Sequence, residues 1–361
     1  MKKVLKYAVS ALIAASLLAA CGNGAESVSK SGTSGSSAQT DENTPESSKV
    51  DSTSESGELT KVGLSTITQV SWAPCFVAQS EGFFTDEGLE VEFITPGGPK
   101  GFQAMHASQC EFSMLSQEPL LIAEEEGIES YNIAAMLKSR VYGIISSPDI
   151  TDVSQLKGKT IYASDPGSAP YVFVCTALEK NGIDPERDVT FIQMDQNAAP
   201  LALANGEIDA AFINLFKTAE LTDVEYNTLV SCFDEGDAME YLGSTDFPAE
   251  IVCTTKAYAK EHPEICQKMV NAIIRAEEWI QSHTDEEVAA SISPMLADFD
   301  SSVLAEEIAI MRDIYSTDGY ISEEGQSAII KTLKEAGVIK TDIPYNEVVD
   351  MEFVENYKEN K

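Results

Sequence analysis

The chain has 361 residues, with 24 lysines and arginines against 59 aspartates and glutamates and a formal charge of −35. So acidic a chain repels nucleic acid and anionic membrane surfaces, which argues against both as partners. The acids are spread along helical segments, as in Glu124-Glu125-Glu126 and Glu277-Glu278. They read as solvated faces and say nothing about the sign of a ligand.

In chain order, the first feature is Lys2, Lys3 and Lys6 ahead of an apolar run from Tyr7 to Leu18, then Leu18-Ala19-Ala20-Cys21-Gly22. A basic head, a short apolar segment and small residues before a cut make a secretory signal over residues 1–20, too short for a permanent spanning helix of about 20 apolar residues. Leu-Ala-Ala-Cys resembles the bacterial lipobox, which implies lipidation of Cys21 and its exposure as the mature N-terminus. The plainer alternative is an ordinary cut near Ala20 beside an incidental cysteine. Loss of the presequence leaves 21 basic and 59 acidic residues, a net charge of −38. Residues 21–58 are dominated by Ser, Gly, Thr, Glu, Asn and Asp, a composition that stays disordered and acts as a tether. The expected location is the cell membrane, lipid-anchored, facing the extracytoplasmic side.

About 300 residues remain from Leu59 onward, enough for two ordinary domains. Strands are expected at 62–65, 89–94, 112–115, 133–137 and 142–146, with helices at 74–80, 102–107 and 118–126 between them. After the polar segment 147–155 come strands at 160–163, 189–194 and 208–213, helices at 168–180 and 198–204, and a strand at 251–254. This alternation argues for α/β sheets with largely parallel strands. A long helical tail follows. There, Ile265, Met269, Ile273, Ala276 and Ile280 recur every three or four residues and line one packing face.

Six cysteines remain once Cys21 is set aside: Cys75, Cys110, Cys175, Cys232, Cys253 and Cys266. They sit in apolar segments and read as small buried hydrophobes. None is paired in a CxxC spacing, and His106, His262 and His283 are far apart, so neither a metal nor a cofactor is expected.

The segment Phe76-Val77-Ala78-Gln79-Ser80-Glu81-Gly82-Phe83-Phe84 with Glu87-Gly88-Leu89-Glu90-Val91-Glu92 resembles the opening of solute-binding proteins of nitrate, sulfonate, taurine and thiamine-precursor ABC importers. Leu156-Lys157-Gly158-Lys159-Thr160-Ile161, Asn181-Gly182-Ile183-Asp184-Pro185 and Ala202-Leu203-Ala204-Asn205-Gly206-Glu207-Ile208-Asp209 resemble their second lobe. Tyr258-Ala259-Lys260-Glu261-His262-Pro263 resembles the return to the first. Order and spacing from Val62 to about Ser282 carry the likeness. It implies a two-lobed periplasmic-binding-protein-like α/β fold, each lobe a mostly parallel sheet flanked by helices, joined by two crossing hinge strands. Lobe I would comprise 59–147 and 246–361, lobe II 148–245, with hinges near Ser146-Ser147 and Ser244 to Asp246.

Ligands in open α/β sheets collect at the carboxyl ends of strands, where glycines let backbone approach and helix N-termini face inward. The residues at those ends are Ser71 and Trp72, Gly97, Gly98 and Gly101, Ser116 and Gln117, Gly167, Ser168 and Ala169, and Asn214. Each has a bland alternative. Gly97-Gly98-Pro99 turns a chain, Ser168 and Gln117 cap helices, Trp72 is either a core aromatic or a stacking platform, and Asn214 ends a strand. Lys100 and Arg140 are weaker candidates for an anion.

The resemblance implies reversible capture of a small solute by a monomeric receptor, delivered to a membrane permease with a separate ATPase; no GxxxxGK[ST] loop occurs. An anion such as a sulfonate, taurine or nitrate is favoured, with a thiamine-precursor pyrimidine as the alternative. Competing classes are an enzyme of the same fold, a pyrimidine synthase or menaquinone-pathway type, and a tethered sensor.

Overall fold

The computed structural model describes residues 58–95, 97–166, 168–296, 301–335 and 337–361. Cys21 and the presequence lie outside the described residues, as does Gly167. Among the described residues, ten strands form two five-stranded sheets. The first has the order β2-β1-β3-β10-β4, from β1 (Thr60–Ser65), β2 (Leu89–Ile94), β3 (Phe112–Ser116), β4 (Ser130–Ala135) and β10 (Glu250–Thr255). The second has the order β7-β6-β8-β5-β9, from β5 (Tyr142–Ser146), β6 (Thr160–Tyr162), β7 (Thr190–Ile192), β8 (Ala210–Asn214) and β9 (Asn227–Ser231). β1 is parallel to β2 and β3, and β6 to β7 and β8. One antiparallel strand is built into each sheet, β10 in the first and β5 in the second.

Local chemistry explains most element boundaries. The Ala73–Ser80 helix ends before Gly82, whose φ of +77° suits glycine. Thr255 caps the helix behind β10 through its side chain, and Pro263 opens the Pro263–Ser282 helix, where its missing N–H costs nothing. Ile265, Met269, Ile273, Ala276 and Ile280 of that helix are all buried, as their spacing predicts. All six described cysteines are buried free thiols.

Several elements differ from the sequence reading, among them the strand expected at 133–137, which runs from Ser130 to Ala135. The helix expected at 102–107 begins at Gly98 and runs to His106, because Pro99 in the first turn needs no hydrogen-bond partner. Strand β9 was not anticipated. Tyr142–Ser146, read as the last strand of the first lobe, pairs with β8 and β9 in the second sheet. Its apolar run specifies a buried strand but not a partner.

The chain therefore crosses between sheets at 136–141 rather than after 147, and returns between Ser231 and Glu250. The two crossings are bonded to each other: Met136 N donates to Glu250 O at 2.8 Å, Phe247 N to Lys138 O at 2.8 Å and Ala249 N to Leu137 O at 3.1 Å. Ser146 pairs with Ala210 at the start of β8, so it sits at the far end of β5 from the crossing.

Candidate functional site

The sequence-selected residues fall into two groups, one at the carboxyl ends of each sheet. Beyond β1, Ser71 and Trp72 are 1 % exposed, and Ser71 Oγ and Trp72 Nε1 have no hydrogen-bond partner among the described residues. Trp72 is thus packed inside the first lobe and presents no open stacking face. Beyond β2, a Cβ on Gly97 would lie 2.5 Å from the Thr66 carbonyl carbon and oxygen, so glycine is what lets these two strand-end loops touch. Gly98 and Gly101 are buried in the helix that follows.

Beyond β3, Ser116 is half-buried and Gln117 fully buried. Gln117 Nε2 donates to Pro248 O at 2.6 Å, and Gln117 Oε1 accepts from Asn132 Nδ2 at 3.1 Å. Its side chain is committed to tying β3 and β4 to the returning crossing. In the second lobe, Ser168 caps the Ala169–Lys180 helix, its Oγ accepting from Tyr171 N at 3.3 Å, while half-buried Asn214 ends β8 opposite Tyr142. Ser164, just past β6, holds a φ of +69°, and its carbonyl accepts from Gln193 Nε2 at 3.3 Å. A strained non-glycine at this strand end marks a position that sequence reasoning passed over.

Between the lobes lies a cavity of about 130 Å³. The first lobe and the crossings supply Glu118, Ile122, Arg140 and Phe247; the second lobe supplies Ala169, Val172, Phe173 and Tyr142. Of the sequence-selected residues Ala169 lines it, as does Arg140 among the weaker candidates. Arg140 leaves the first crossing 4 % exposed, forms an ion pair with Glu118, and holds its guanidinium 5.1 Å from the Tyr142 ring centroid and 5.3 Å from that of Phe247. Burial pushes the Glu250 carboxyl up to about 7, against the opposing pull of Arg140. The cation is thus buried beside two carboxyl groups and is not free to meet an anion. Lys100 is exposed.

His106 lies at the other end of the first sheet, its Nε2 2.8 Å from Ser130 Oγ where β4 begins and its ring edge-on to Phe102. Burial lowers its pKa. Among the described residues no cluster of three or more His, Cys, Asp or Glu is placed to hold a metal, and no helix is long and apolar enough to cross a membrane.

Residues 69–287 match the family model described as NMT1/THI5 like. The chain belongs to the NMT1/THI5-like family. A Bacillus subtilis (strain 168) relative named "Putative binding protein YtlA" is 26% identical over 313 residues, 84% of this chain and 91% of its own. A second from that strain, named "Putative aliphatic sulfonates-binding protein", is 26% identical over 302 residues, 79% of this chain and 85% of its own. A Schizosaccharomyces pombe 4-amino-5-hydroxymethyl-2-methylpyrimidine phosphate synthase is 31% identical over 140 residues, 38% of this chain and 39% of the enzyme. Among solved structures, the Escherichia coli periplasmic aliphatic sulphonate binding protein SsuA superposes with a TM-score of 0.64 at 16% identity, over 81% of this chain and 98% of its own. This NMT1/THI5-like chain therefore has the two-lobed periplasmic-binding-protein fold.

Proposed function

We propose that this chain is the extracytoplasmic solute-binding component of an ABC importer, enclosing a small solute between its lobes and presenting it to a membrane permease served by a separate ATPase. The observation that carries this reading is the inter-lobe cavity: both sheets turn their carboxyl-end elements onto it, and both crossings border it. Rotation about 136–141 and 232–249 would change its volume and the surface that a permease meets. In this reading lobe II begins at about residue 142, lipid on Cys21 holds the receptor at the membrane, and residues 21–58 give it reach. Gly97, Ser116, Ser168 and Asn214 would edge the solute site, with Gln117 bracing it and Ser71, Trp72, Gly98 and Gly101 packed behind it.

The relatives suggest two solute classes, aliphatic sulfonates and a substituted pyrimidine. The synthase relative also keeps an enzyme reading in view. Against it, His106 is remote from the cavity, and burial raises the thiols of Cys110 to about 11 and Cys232 to about 12, which leaves them protonated and poorly nucleophilic.

A thermal-shift screen of the mature chain with sulfonates, taurine, nitrate, pyrimidines and amino acids tests the proposal. A true solute at a hundred times its Kd adds about 2.7 kcal/mol to stability. A flat response across all classes would refute solute binding, and turnover of a stabilising compound would replace it with catalysis. Lipid-bearing mass on wild type, absent from Cys21→Ser, tests the anchor.

A further inference from the structure

The outgoing crossing is hydrogen-bonded on both sides. Besides its bonds to 247–250, Lys138 N donates to Ile314 O at 3.0 Å, and Ser316 N donates to Met136 O at 2.8 Å. Leu137 and Tyr315 face each other as an antiparallel bridge pair. Residues 314–316 thus lie beside the two crossings as a third extended segment. The chain nevertheless stays with the first lobe there, since Gly319 O accepts from Ala135 N at the end of β4, at 2.9 Å.

This segment is anchored to the first lobe. Tyr315 is fully buried, and its hydroxyl donates to Val70 O beyond β1 at 2.9 Å. The helix Ser301–Met311, which leads into it, packs against Val70–Trp72 and against the helix Asp285–Ile292. Arg312 fixes its end, donating to Asp285 Oδ1 at 2.7 Å and to Ile280 O at 2.6 Å. The same helix also packs against Leu215–Glu220, the short helix that follows β8 in the second lobe. Rotation of the second lobe about the crossings must therefore move Leu215–Glu220 against a helix held by the first.

One ion pair spans that contact. Lys217 Nζ is 2.8 Å from Glu307 Oε1, and Glu307 is fully buried. Lys217 keeps a second carboxylate within its own element, Glu220 Oε1 at 2.7 Å. Glu307 Oε2 is buried with no hydrogen-bond partner among the described residues. Parting the two elements strips Glu307 of its cation while the lysine retains one. A buried charge robbed of its partner is strongly unfavourable, so the pair favours the lobe arrangement that makes it.

We propose that residues 314–316 are a third strand of the hinge, and that Lys217 and Glu307 are positioning residues, a clasp that sets the resting angle between the lobes. The purpose of the clasp rests on the receptor reading, in which lobe rotation gates the cleft; the angle itself is measured without a solute.

The test places spin labels on Gln103→Cys in the first lobe and Asn197→Cys in the second, both exposed positions, in the solute-free mature chain carrying Cys21→Ser. The six other cysteines are buried. Pulsed electron resonance then reads the inter-lobe distance. Lys217→Met adds a longer-distance population, of at least about 10-fold greater weight than in the parent, and Lys217→Arg does not. Glu307→Gln keeps the side chain's shape and gives the same lengthening, which covers the case of a Lys217→Met chain that fails to fold. A pair that only stabilises the fold lowers the melting point and leaves the distance unchanged below it. Hydrogen exchange of single amides tests the third strand: Lys138 and Ser316 are protected as strongly as Met136 and Ala249. Distances unmoved by Lys217→Met and Glu307→Gln overturn the clasp, and fast exchange at Lys138 and Ser316 overturns the third strand. Either result leaves the receptor standing if the thermal-shift screen finds a solute. A clasp that responds in a chain stabilised by no solute refutes the receptor alone.

Discussion

Replacing Gln117 by alanine separates a brace from a ligand contact. The side chain is fully buried and makes two hydrogen bonds, one to Pro248 O in the returning crossing and one from Asn132 Nδ2 in β4. Truncation leaves a buried carbonyl and a buried amide N–H unpaired, at about 1–3 kcal/mol each. The expected loss is about 2–6 kcal/mol, which lowers the melting midpoint by roughly 3–10 °C in a chain of this size. Urea unfolding of wild type, Gln117→Ala, Asn132→Ala and the double variant measures both the loss and the coupling between the two side chains. Solute affinity at a temperature where each variant is folded should change far less than stability. A midpoint within about 1 °C of wild type together with lost binding would refute the argument and make Gln117 a ligand residue.

Gly97→Ala forces a Cβ to within 2.5 Å of the Thr66 carbonyl, so the β1 and β2 loops must part; stability should fall by about 1–3 kcal/mol in a denaturant titration. Lys217→Met strands the Glu307 carboxylate, which is fully buried and 2.8 Å from the lysine across the two lobes. That variant should lose about 3–5 kcal/mol, and Lys217→Met combined with Glu307→Leu should recover most of it. Glu250 gives a pH signature. Its folded-state carboxyl titrates near 7 instead of the ordinary 4.5, so the folded chain holds a proton the unfolded chain has released between those values. Its contribution is complete below pH 4.5 and is lost as pH rises through about 7. The stability of Glu250→Gln relative to wild type should therefore rise across that window, as read from urea midpoints at its two ends.

Much of the fold was legible locally. Apolar patterns placed β2 and β5 and identified the buried face of the Pro263–Ser282 helix, because a buried face imposes its spacing on the segment that carries it. Glycines and prolines at turns and helix starts located the strand-end loops, and hence Gly97, Ser168 and Asn214. The cavity was less legible. Arg140, Tyr142 and Phe247 belong to the crossings or their edges, and Glu118 read only as a helix start, since nothing in a local pattern says which distant ring or guanidinium it will meet.

The sequence alone determined an acidic chain of alternating strands and helices, hence of α/β class, since composition and periodicity act within a few residues of one another. Tertiary structure decided the pairings. It moved Tyr142–Ser146 into the second sheet, committed Gln117 to the crossing, buried Trp72, and neutralised Arg140 with Glu118. Each depends on contacts between residues remote in sequence, whose energies exist only once the sheets have formed.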